Sequence, residues 1–75
     1  MTKIFILAGT YANAKKWADA QQLDGNSWFS TLDLDELRAR NNFHVVVLET
    51  ASELSPIYFE RLFNLAHARG RINRQ

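Results

Sequence analysis

Residues 4–20 read IFILAGTYANAKKWADA. An unbroken apolar run gives way at Ala8 to Gly9-Thr10-Tyr11, and a segment with helical spacing follows. Lys3 to Ala8 is rich in Ile, Phe and Leu and bounded by glycine, the composition of a strand buried on both faces. From Tyr11 to Gln22, Tyr11, Ala14, Trp17 and Ala18 recur at helical spacing, while Asn13, Lys15, Lys16 and Asp19 take the other side. Thr10 stands at the N-cap of that amphipathic helix. The junction suits two purposes: a turn from strand to helix, or a cradle whose amides hold a phosphate.

The helix is expected to stop at Leu23-Asp24-Gly25-Asn26, a run with turn chemistry. Ser27 to Thr31 is short and β-prone. Asp33 to Arg40 gives a short helix marked by Leu34 and Leu37, with Asp33 or Asp35 near its start. Phe43 to Leu48, FHVVVL, is the strongest β-branched run and predicts a central strand. Ser55-Pro56 then supplies an N-cap and first turn for a long helix, Ile57 to Arg69, with Gly70 at its C′ position.

Strands separated by helices argue for a parallel sheet. The order βαβαβα therefore predicts an α/β domain with a three-stranded parallel sheet in the spatial order 2-1-3, Ile4 to Ala8 in the middle and the Trp28 strand at an edge. It is half of a doubly wound, Rossmann- or flavodoxin-like fold. One domain is expected over residues 1–75, with a short basic tail at 71–75.

The composition sets outer bounds. With 47% hydrophobic and 12% aromatic residues, the chain lies outside the low-hydrophobicity class of disordered sequences. It has no cysteine, hence no disulfide framework, thiolate metal site or thiol nucleophile, and a reducing cytoplasm suits it. The apolar run before Gly9 is too short for a signal-peptide core or a membrane span, so a cytoplasmic protein outside the membrane is expected. A net charge of +1 gives no global field toward nucleic acid.

In open α/β sheets, ligands sit beyond the carboxyl ends of the strands, where the strand order reverses. That crevice would be floored by Gly9, Thr10 and Tyr11 on one side and by Glu49, Thr50, Ala51 and Ser52 on the other. Helix amides with the hydroxyls of Thr10, Thr50 and Ser52 suit a nucleotide-like ligand or another anion, and Glu49 suits a ribose or a metal. Yet no second glycine and lysine follow Gly9 in the phosphate-loop pattern, and Tyr11 and Ala14 stand where a dinucleotide fingerprint needs glycine. His44 and His67 have no sequence neighbours that make a triad or a metal pair. Asp33, Asp35 and Glu36 read as helix-start acids. No catalytic residue, cofactor or metal centre is expected.

Two surfaces remain. Arg69, Arg71 and Arg74 lie close together in HARGRINRQ and suit phosphate contacts, but cations also complement a helix C-terminus, so nucleic-acid binding ranks last. In the final helix Tyr58, Leu62 and Leu65 share one face, and Phe59, Phe63 and Ala66 the next. That stripe is wider than so small a sheet covers, which makes Tyr58, Leu62, Phe63 and Leu65 the candidate interface. A homodimer is the simplest occupant, another protein the alternative.

The succession ILAGTYANAKKWADAQQL, SWFSTLDLDELRAR, VVVLETA and a helix running into ARGR resembles small accessory proteins of actinobacteriophages, over nearly the whole chain. The resemblance implies a protein made in a bacterial host cytoplasm that engages a host component rather than building the virion.

Overall fold

In the computed structural model, which describes residues 3–72, four strands lie side by side in the order β2-β1-β3-β4. They are β1 (Lys3–Leu7), β2 (Trp28–Phe29), β3 (Phe43–Val47) and β4 (Gly70–Ile72), joined by α1 (Tyr11–Ala20), α2 (Leu34–Arg38) and α3 (Pro56–Arg69). A 3-10 segment (Glu49–Glu53) precedes α3. Every pairing is parallel, and β1 lies between β2 and β3, the arrangement that the alternation of strand and helix predicts.

The fourth strand corrects the reading of the carboxy-terminal end. α3 ends at Arg69 and Gly70 follows it, as the sequence suggested, but Gly70, Arg71 and Ile72 then pair with Phe43, His44 and Val45 where a tail was expected from residue 71. The cause is topological: α3 carries the chain back to the starting end of β3, whose outer edge holds backbone groups that need partners. The backbone of Arg71 therefore belongs to the sheet. The side chains of Arg69 and Arg71, and Arg74 altogether, fall outside the described residues, as does the expected tail beyond Ile72.

Period-two alternation along the strands builds two cores. Phe5, Leu7, Phe29, Phe43 and Val45 gather on one face with Leu37 of α2 and Leu62 and Ala66 of α3. Ile6, Ala8 and Trp28 gather on the other with Ala14 and Ala18 of α1. The first core is nucleated by three rings from adjacent strands: Phe5 stacks on Phe29 at 5.2 Å, and Phe43 meets both edge-on at 5.8 and 5.3 Å. Such pairs contribute roughly 0.5–1.5 kcal/mol each beyond their buried area.

Local chemistry sets the helix ends. Thr10 Oγ1 accepts the Asn13 amide at 3.2 Å, Asp33 Oδ1 that of Asp35 at 2.9 Å, and Ser55 Oγ that of Tyr58 at 3.2 Å. At its other end α1 closes in a Schellman motif: the Leu23 amide donates to the Ala18 carbonyl, the Gln22 amide to that of Asp19, and Gln22 takes a φ of 58°. The expected stop is thus made one residue before the turn-forming run, by a glutamine in a glycine-like conformation.

Leu62 is a second correction. It is fully buried, so it belongs to the core and not to an exposed stripe. Tyr58, one turn earlier, donates its hydroxyl to the Leu32 carbonyl just before α2. In the same orientation Leu62 and Ala66 pack into the core against the sheet.

Candidate functional site

The crevice at the carboxyl ends of β1 and β3 brings together the residues the sequence named, and spends most of them on the fold. The Gly9 amide donates to Thr50 Oγ1 at 3.3 Å. Thr10 Oγ1 is engaged as the α1 cap. A β-carbon on Gly9 would meet the Thr50 carbonyl at 2.5 Å and Glu53 Oε2 at 2.7 Å, so glycine is required here by close approach of the 3-10 segment. The Gly9 amide and the Thr10 and Thr50 hydroxyls are thus engaged, and the Glu53 carboxylate lies close to Gly9. The ring of Tyr11 packs against Trp28 at 5.6 Å and is otherwise exposed. Glu49 and Ser52 are exposed at the rim.

Two open grooves flank the end of β3. One of about 540 Å3 runs between it and α1, where Asn13, Lys16, Trp17 and Ala20 form the far wall. The other, of about 400 Å3, runs toward α3 and is walled by Leu54, Pro56 and Phe59. Val47, Leu48 and Glu49 belong to both. Val47 is 41% exposed and Ile57, at the start of α3, 69%. Neither was marked by sequence reasoning, because Val47 sits in a run that reads as buried and Ile57 in a helix start.

Along α3 the candidate interface divides. Leu62 is inside the core, Tyr58 is tied to Leu32, and Tyr58, Phe59, Phe63 and Leu65 are all partly buried against the core. Phe63 stacks on Phe59 at 5.8 Å and on His67 at 6.4 Å, forming a half-exposed ladder at four-residue spacing. Helical geometry turns Phe63 and His67 away from Tyr58 around α3, and β4 forms the outer edge of the sheet. That edge has no strand partner among the described residues. The four-residue spacing was legible; the place of His67 in it was missed.

The titratable groups are dispersed. His44 lies in β3 with its Nδ1 buried and without a hydrogen-bond partner, whereas His67 lies on α3 across the sheet. Asp33 caps α2, Asp35 pairs with Arg38 at 3.2 Å, and Glu36 accepts from Thr31 at 2.9 Å. Lys15 is raised above its ordinary pKa by a hydrogen bond to Asp19 and by that residue's charge, on the exposed face of α1. Among the described residues no group of three or more His, Cys, Asp or Glu is placed to hold a metal, and no helix is long and apolar enough to cross a membrane.

Compared with protein-family models, with curated proteins and with solved structures, the chain matches none.

Proposed function

We propose that this chain is a non-enzymatic interaction module that associates through the outer side of α3, with a second copy of itself as the simplest partner. The observation that carries the reading is the Phe59-Phe63-His67 ladder, which runs from partly buried Phe rings to the exposed His67 and joins the apolar groove at Leu54 and Pro56 through Phe59. Aromatic rings grouped on one side of a helix are the usual core of a protein interface, and a two-fold axis beside such a ladder pairs it with itself.

The dispersal of the histidines and the structural use of the acids support a role without catalysis. A host protein, in a bacterial cytoplasm, is the further partner that the resemblance to phage accessory proteins implies. The test is Phe63→Asp, which places a charge in the middle of the ladder. Loss of assembly with a retained circular dichroism spectrum supports the reading. A variant that assembles like the parent contradicts it.

A further inference from the structure

At the opposite end of the sheet, Lys3, Phe43 and Gly70 stand side by side in the register of β1, β3 and β4. A pocket of about 260 Å3 opens there, lined by Lys3, Phe29, Arg40, Asn41, Asn42 and Phe43. Among the described residues, both charged side chains in that lining are cations. The crevice at the other end is mixed in charge, with Glu49 and Glu53 beside Lys16.

Arg40 is held in place from below. Its guanidinium carbon lies 4.2 Å from the centre of the Phe29 ring, a cation–π contact that fixes the head group without using its N–H donors. Arg40 also pairs with Glu36 one turn earlier, but at 3.8 Å, which is beyond hydrogen-bond reach. Glu36 instead accepts from Thr31 through its other oxygen. The Arg40 side chain is 36% exposed, so its charge is screened less than that of a fully solvated arginine. The backbone of Arg69, immediately before Gly70, reaches the same edge.

We propose that this pocket binds a compact oxyanion, a phosphate or carboxylate group. A planar guanidinium fork matches the paired oxygens of either group, and the Lys3 ammonium supplies a second charge. The carboxyl ends of helices also draw cations to this edge through the dipole. That attraction does not account for a guanidinium seated on the Phe29 ring in β2.

The full chain is titrated with sodium phosphate, and separately with sodium acetate, at ionic strength held constant with sodium chloride, while its backbone amides are followed by NMR. Saturable shifts centred on Lys3, Phe29 and residues 40–43 are expected with at least one oxyanion and absent with chloride alone; which of the two saturates identifies the group. Arg40→Lys keeps the charge and loses the fork, and is expected to weaken binding about tenfold. Since that change also removes the contact with Phe29, Lys3→Gln at an exposed position provides an independent variant, expected to weaken binding while leaving the spectrum of a folded protein. Shifts that never saturate, that follow ionic strength alone, or that centre on residues 9–11 overturn the proposal.

Discussion

The carbonyl oxygen of Thr50 stands 2.5 Å from the point that a β-carbon on Gly9 would occupy, while the Thr50 hydroxyl accepts the Gly9 amide at 3.3 Å. These residues are 41 positions apart, and together they dock the 3-10 segment on the turn between β1 and α1. The glycine is therefore needed for packing, whether or not any ligand visits.

Gly9→Ala follows as the first prediction. The obstruction is backbone rather than a yielding side-chain tip, so the variant is expected to lose about 1–3 kcal/mol, the usual cost of overpacking. Urea unfolding of the two proteins measures it. An unchanged midpoint would mean that the 3-10 segment is not held against the turn.

Gln22 offers a gain in stability. Its φ of 58° is costly for a residue with a β-carbon, and glycine relieves that cost while adding some chain entropy to the unfolded state. Gln22→Gly is expected to stabilise the protein by about 0.5–1 kcal/mol, read as a rise in the thermal midpoint. A fall would show that α1 does not end in the left-handed turn.

Leu62→Ala separates core from surface on α3. Leu62 is fully buried, and its truncation is expected to cost about 2–5 kcal/mol without changing the association of the molecules that remain folded. Ile57→Asp, at the exposed start of the helix, is expected to leave the unfolding midpoint within about 0.5 kcal/mol of the parent. Denaturant titrations compare the two. A mild effect at Leu62 with a severe one at Ile57 would mean that α3 is rolled differently on the sheet.

Much of this architecture was legible because its signals are local. FHVVV carries three consecutive β-branched valines, β1 is apolar without interruption after Lys3, and Thr10, Asp33 and Ser55 each announce the helix they cap. β4 was not legible, since Gly70-Arg71-Ile72 carries little strand propensity and becomes a strand through the open edge of β3. The 3-10 segment ETASE has no apolar period, and Ala51 is its buried residue. The role of Gly9 depends on a carbonyl 41 residues away, which no local pattern encodes. For the interface, the breadth of the apolar stripe on α3 was readable. Which edge of it turns inward is set by packing between elements distant in sequence, Leu62 and Ala66 against the strands and Tyr58 against Leu32.

Sedimentation equilibrium across a wide range of protein concentration tests the central claim most directly. Association through the outer side of α3 predicts a mass that rises from 8.7 kDa at high dilution to twice that value as concentration increases, and that stays at 8.7 kDa throughout for Phe63→Asp. A parent protein that remains at 8.7 kDa up to millimolar concentration would contradict self-association through this helix.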